Sequence, residues 1–135
     1  MKRIYKFRAW DKTDKRMIVD EQDFIPLLVT NKGVFRLNPH YEFELYNPMD
    51  NDRFELMQFT GLKDKNGVEI YEGDICTFTN PYNKQEYKRI VRYCTLLACF
   101  GLYTDMETVY DYESDWLKII NIEVIGNIYS NPELL

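Results

Sequence analysis

The sequence predicts a mostly β, barrel-like domain, SH3-like or related, with short helical turns near its C-terminus. Three observations carry that expectation. Aromatic residues make up 16% of the chain, with eleven tyrosines and eight phenylalanines, and such side chains pack well on a pleated surface. Alanine, the best helix former, stands only at Ala9 and Ala98, which argues against long helices. Apolar residues recur with a period of two in short runs divided by Gly, Pro, Asn and Asp, the pattern of strands joined by turns.

The elements follow in order. Arg3 to Trp10 places Tyr5, Phe7 and Ala9 on an inward face and Ile4, Lys6, Arg8 and Trp10 on the other, a strand with one wet face. Asp11 to Lys15 is a polar turn, and Met17-Ile18-Val19 completes a hairpin over residues 3–20. Pro26 marks Phe24 to Val29 as an edge strand or irregular segment. Asn31-Lys32-Gly33 turns the chain into Val34 to Leu37, and Tyr41, Phe43 and Leu45 alternate with His40, Glu42 and Glu44 as a half-buried strand. Phe54 to Phe59 is β-prone, and Asn66-Gly67 supplies the strongest hairpin signal, because it tolerates the positive φ such turns demand. Glu72-Gly73-Asp74 turns into a strand over Ile75 to Thr79, closed by Asn80-Pro81-Tyr82-Asn83. A further strand runs from Tyr87 to Tyr93, and Leu96 to Tyr103 is an apolar run broken by Gly101. From Ser114 the pattern fits a short helix with the serine as N-cap, and fits a strand nearly as well. Ile122, Val124, Gly126 and Ile128 share one face of a closing strand. Asn131 as N-cap and Pro132 at the first helical position predict a last helical turn.

With 135 residues, one domain and one core are the default. The candidate boundary between two β lobes within residues 1–135 is the turn-rich stretch near residues 47–53. No run approaches the roughly 20 apolar residues that span a bilayer, and the basic start lacks a following apolar signal segment. A cytoplasmic protein is expected. Cys76, Cys94 and Cys99 are odd in number, lack CxxC spacing and sit among apolar neighbours, so they are expected to be reduced core residues.

The net charge of -5 conceals a split. Residues 1–16 carry seven basic side chains against Asp11 and Asp14, a local +5, which leaves -10 for the remainder. Asp105, Glu107, Asp111, Glu113 and Asp115 form an acidic stretch, while Lys84, Lys88, Arg89 and Arg92 against Glu86 make a smaller positive patch. Such asymmetry guides association.

Three blocks together resemble the YopX family, short proteins encoded by bacterial phages and prophages. The first is Lys6-Phe7-Arg8-Ala9-Trp10-Asp11 followed by Lys15-Arg16-Met17-Ile18. The second runs from Met57-Gln58-Phe59-Thr60-Gly61-Leu62 through Lys63-Asp64-Lys65-Asn66-Gly67 to Tyr71-Glu72-Gly73-Asp74-Ile75. The third is residues 123–135, Glu-Val-Ile-Gly-Asn-Ile-Tyr-Ser-Asn-Pro-Glu-Leu-Leu. Residues 19–55 and 76–121 show little that is family-like. The resemblance implies a phage or prophage origin, hence a bacterial host cell, together with a β-rich fold and self-association. It carries over no catalytic residue.

Sites with a chemical signature are few. The only histidine, His40, is expected to be an ordinary exposed residue, which leaves a conventional nucleophile–base triad without its base. No His, Cys and carboxylate cluster has zinc spacing, the acidic stretch lacks the glycine and ligand order of a calcium loop, and Gly61, Gly67 and Gly73 are spaced as turn residues rather than as a phosphate cradle. No cofactor is expected. Two candidate binding sites stand out. Tyr71 and Asp74, in Tyr71-Glu72-Gly73-Asp74, place a tyrosine beside carboxylates on a tight turn, although backbone-bonding aspartate and a turn glycine account for the same residues structurally. Arg3, Lys6, Arg8 and Trp10 mix cations with an aromatic on one strand, a combination that holds phosphates and stacks bases. Since Tyr5 and Phe7 face the other way and the pI is about 4.9, nucleic acid is the alternative. The favoured expectation is a non-enzymatic binding protein that self-associates.

Overall fold

The computed structural model describes residues 4–19, 27–30, 33–36, 53–106, 112–113 and 120–135. The expected mostly β architecture is what the chain adopts. One sheet curls into a half-barrel, and the sole helical element among the described residues is a 3-10 turn at Pro132–Leu134. No helix among the described residues is long and apolar enough to cross a membrane. The chain divides into two compact units, one of Lys6–Met57 and one of Met1–Tyr5 with Gln58–Leu135.

In the first unit, β1 (Phe7–Asp11) and β2 (Arg16–Val19) form the expected hairpin, with Arg8 opposite Val19 and Asp11 opposite Arg16. Ala9 and Ile18 face each other across it and are both buried. The strand starts later than the alternation suggested. Its pairing begins at Arg8, and residues 4–6 are not in a strand, so Tyr5, expected inward, is 64% exposed. A second hairpin joins β3 (Leu27–Thr30) to β4 (Gly33–Arg36), with Thr30 opposite Gly33. The expected turn before Val34 therefore holds, while Phe24 to Pro26, the strand around Tyr41 to Leu45 and most of the expected lobe boundary at residues 47–53 lie outside the described residues. The unit ends with the first residues of β5 (Phe54–Lys63).

In the second unit, β5 continues and pairs with β6 (Glu69–Tyr71), Phe59 lying opposite Tyr71 and Lys63 opposite Glu69. A five-stranded antiparallel sheet follows, formed by β7 (Asp74–Thr79), β8 (Glu86–Cys94), β9 (Cys99–Tyr103), β10 (Tyr112–Glu113) and β11 (Ile120–Asn127) in the order β10-β9-β8-β7-β11. Its core joins Ile70, Cys76, Phe78, Val91 and Leu102, with Tyr87, Ile122 and Val124 packed against them. Each aliphatic or aromatic side chain so enclosed stabilises the fold by about 1.5–3 kcal/mol. Cys76 and Cys94 are buried and Cys99 half-buried, all as free thiols. Gly101, which interrupts the apolar run in the sequence, sits inside β9 opposite Arg92, where a glycine in a paired register leaves the ladder intact. The strand face read for β11 is also altered. Register shifts between Ile120 and Glu123 and between Val124 and Gly126 interrupt the alternation, so Ile122 and Val124 reach the core while the added residue, Ile125, is exposed. Asn131 occupies the expected cap position, but its side chain makes no cap bond. Its Oδ1 accepts the Asn127 N–H at 3.3 Å instead. The helix-or-strand question at Ser114 lies outside the described residues.

Candidate functional site

In the first unit, the turn after β1 is organised by an aspartate with no exposed surface. The Asp11 Oδ1 accepts the N–H groups of Thr13 at 2.9 Å and Asp14 at 3.1 Å, the geometry of an aspartate-built turn. Arg53 closes on the same carboxylate with both arms of its fork, Nε to Oδ1 at 3.0 Å and Nη2 to Oδ2 at 2.7 Å, and reaches Asp14 at 3.1 Å. The Lys12 N–H donates to the Arg53 carbonyl at 2.9 Å, and Lys12 Nζ pairs with Glu55 at 2.8 Å. Burial pushes the Asp11 carboxyl up, but Arg53 and the N–H groups of Asp14 and Thr13 outweigh it and hold the group below the usual carboxylate range. Of the basic strand read as a candidate binding site, Lys6, Arg8 and Trp10 are half-buried and Trp10 pairs opposite Met17. Arg3 lies outside the described residues.

In the second unit, the Tyr71 to Asp74 turn is an internal fastening. Asp74 is 1% exposed, and its Oδ2 accepts the Tyr71 N–H at 2.8 Å. The Tyr71 hydroxyl donates to Glu69 Oε2 at 2.9 Å, and its ring meets that of Phe59 with centroids 5.4 Å apart. Glu72 and Gln58 exchange bonds, the Gln58 N–H giving to Glu72 Oε2 and the Glu72 N–H to the Gln58 carbonyl, each at 3.0 Å. Gly73, at φ 77°, gives its N–H to the Val91 carbonyl and takes the Ile128 N–H on its own carbonyl, both at 2.9 Å. A short turn thus joins β5, β8 and the segment after β11. Its carboxylates hold backbone amides, which is the structural account of these residues.

A second aspartate, Asp64, builds the β5–β6 connection. Its Oδ1 accepts the N–H groups of Asn66 at 2.8 Å and Val68 at 2.9 Å, and its Oδ2 that of Val124 in β11 at 3.1 Å. The Lys65 N–H donates to the Ile122 carbonyl at 2.9 Å, while Lys65 Nζ and Asn66 Nδ2 hold Glu123 at 2.5 and 3.2 Å. Burial raises Asp64, yet the N–H groups of Val68, Val124 and Asn66, aided by Lys65, bring it below the usual carboxylate range. The expected Asn-Gly turn is therefore differently made: a loop from Asp64 to Val68, in which Gly67 takes the positive φ, 83°, and Asn66 does not. A Cβ at Gly67 would meet nothing within 4 Å. Gly67→Val should consequently cost only backbone strain, about 1–2 kcal/mol, read as a lowered unfolding midpoint; an unchanged midpoint would mean that the loop accepts an alternative conformation.

Among the described residues, no group of three or more His, Cys, Asp or Glu could hold a metal ion. The residues that sequence reasoning missed are Asp11, Asp64 and Arg53. For the two aspartates a signal existed, since each opens a run of turn residues, Asp-Lys-Thr-Asp and Asp-Lys-Asn-Gly; Arg53 carried none.

The family model described as YopX protein matches residues 6–135. The chain belongs to the YopX family. Among solved structures it is similar to protein EF1440 from Enterococcus faecalis, with 31% identity, a TM-score of 0.60 and 99% of each chain covered. It is also similar to YopX from Bacillus subtilis, with 23% identity, a TM-score of 0.66, and 96% of this chain and 94% of that one covered, a likeness of fold. No curated protein matches it. The YopX-like middle and closing blocks meet in space: Asp64 holds Val124, Lys65 holds Glu123, Ile75 pairs with Gly126, and Asp74 pairs with Asn127. The closeness at Gly126 extends to the C-terminal turn, where an added Cβ would stand 2.6 Å from Asn131 Oδ1 and 2.9 Å from Leu134 Cδ1. What these YopX blocks build is a joint of the fold.

Proposed function

We propose that this YopX-family chain is a phage- or prophage-encoded, cytoplasmic, non-enzymatic interaction protein that works by associating with copies of itself. The observation that carries the reading is the tip of the β8–β9 hairpin. Leu96 is 74% exposed and Leu97 50%. Beside them, Tyr93, also exposed, packs its ring edge-on against Phe100, with centroids 5.3 Å apart. Single exposed apolar residues are ordinary, but a tyrosine and two leucines close together on one hairpin end favour burial against another protein surface. A second copy is the occupant because the chain carries its own charge complement: the +5 of residues 1–16 can attract the acidic residues 105–115 of a neighbour. Attraction then sets orientation while apolar burial supplies most of the affinity. The internal Lys12–Glu55 pair lowers the charge left for that purpose and makes the apolar tip the larger contribution.

Sedimentation at micromolar concentration in low and moderate salt tests this. An oligomer is expected, shifting to monomer in a chain carrying both Leu96→Glu and Leu97→Glu, two exposed positions at which the fold should survive. A wild-type monomer at both salt levels would overturn the reading. Filter binding at low salt completes the test. Tight, salt-sensitive binding of DNA or RNA, lost when Lys6→Ala is combined with Arg8→Ala, would replace self-association with a nucleic-acid role.

A further inference from the structure

The hairpin tip has a second property that does not depend on association. The register of β8 and β9 ends with Cys94 directly opposite Cys99. Residues so paired across an antiparallel ladder lie on the same face with Cα atoms about 4.5–5.5 Å apart, inside the roughly 4.4–6.8 Å that a disulfide spans. The turn between them, Thr95 to Ala98, is exposed at every residue, so the pair sits at the solvent end of the sheet rather than in its centre. Cys76 differs: it has no exposed surface and belongs to the core cluster.

The surroundings favour a thiolate at Cys94. The Tyr103 hydroxyl and the N–H groups of Leu97 and Leu96 are directed at its sulfur, and the Arg92 guanidinium stands nearby, together drawing the thiol below its ordinary range. Tyr103 is itself held protonated, since burial, and then its contact with Cys94, pushes its hydroxyl up to about 12. It is therefore a stable donor, and the Arg92 guanidinium lies 4.7 Å from the centre of its ring. Cys99 also raises Tyr103, which places both sulfurs near one phenol. A cysteine drawn below its ordinary range by donors and next to a second cysteine is the arrangement of redox-sensitive dithiols.

We propose that Cys94 and Cys99 form a redox-modification site that closes to an intramolecular disulfide across the end of the β8–β9 hairpin when a peroxide oxidises it, and reopens with a thiol reductant. The Cys94 thiolate attacks one peroxide oxygen, the O–O bond breaks, and the departing hydroxide leaves as water after taking a proton. Cys94 is now a sulfenic acid. The Cys99 thiol attacks that sulfur, the S–S bond forms, the S–O bond breaks, and the hydroxide leaves as a second water with the Cys99 proton. Two thiols and one peroxide give one disulfide and two waters, the sulfurs losing two electrons to the peroxide. The bond would fix the turn that presents Leu96 and Leu97.

The experiment treats the whole purified chain with a small excess of hydrogen peroxide, then denatures it, alkylates free thiols and weighs the peptides. Loss of two of the three alkylatable thiols is expected, with the peptide holding Cys94 and Cys99 two hydrogens lighter, Cys76 still alkylated, and full reversal by dithiothreitol. In Cys99→Ser, dimedone should label Cys94, which has lost its resolving partner. Alkylation of all three thiols, a bond that includes Cys76, or one between chains would overturn the proposal. Dimedone on Cys99 of Cys94→Ser, with none on Cys94 of Cys99→Ser, would overturn the assignment of Cys94 as the attacking sulfur.

Discussion

Asp11→Ala should destabilise the protein by about 3 kcal/mol, near the lower end of what removing one partner of a buried ion pair costs. Asp11 has no exposed surface and Arg53 binds it with two hydrogen bonds, so the loss is that of a desolvated, bidentate pair rather than of a surface contact. The lower end applies because the Arg53 side chain is 20% exposed and can recover water once its partner is gone. The N–H groups of Thr13 and Asp14 lie in an exposed turn and recover water more easily still. Urea unfolding measures the total, and faster hydrogen exchange at the Thr13, Asp14 and Lys12 amides locates it. A double-mutant cycle with Arg53→Ala should give a coupling of about 1–3 kcal/mol. A coupling near zero would show that the aspartate acts only through its turn and that Arg53 is incidental.

The same pair shows where sequence reasoning stops. The turn at Asp11 to Lys15 was legible because aspartate and threonine at those positions favour local backbone bonding. Its fastening was not, because the cation that closes it stands 42 residues away and nothing local distinguishes Arg53 from other basic residues. Alternation likewise predicted a buried Ala9 but placed Tyr5 inward, since a period of two assigns faces without saying where pairing begins. In β8 both Ile90 and Val91 are buried, so alternation fails on a strand covered on both faces there. The bulges of β11, where Asn121 takes a φ of 56°, are set by what the strand meets on β7 and by the Asp64 loop. The turn glycines Gly67 and Gly73 were readable, their positive φ being a property of the residue itself. The Cys94–Cys99 register was not, because the turn from Thr95 to Ala98 has no sequence signature that fixes its length, and a left-handed Ala98, φ 51°, is not what composition suggests.

Asp64→Ala should cost about 2–3 kcal/mol, and here the loss falls on strand attachment more than on charge. One carboxylate serves Asn66, Val68 and Val124, the last of them 60 residues away. Asn66 and Val68 are exposed and Val124 is half-buried, so the first two amides can turn to water while Val124, against the core cluster, cannot do so freely. A buried amide left without an acceptor costs about 1–3 kcal/mol, and the freed loop adds the entropy of residues no longer held. Asp64→Asn separates the two parts. It keeps one oxygen for Asn66 and Val68 but presents an NH2 to the Val124 N–H, so the loop should persist while the Val124 amide exchanges faster. Acid gives an independent check. The folded-state group lies below its unfolded value, hence its stabilisation is complete above the ordinary carboxylate range and is lost as pH falls through the depressed value. The wild type should therefore lose stability in acid more steeply than Asp64→Asn, and parallel acid profiles would show that the carboxylate charge contributes nothing beyond the oxygen that asparagine also supplies.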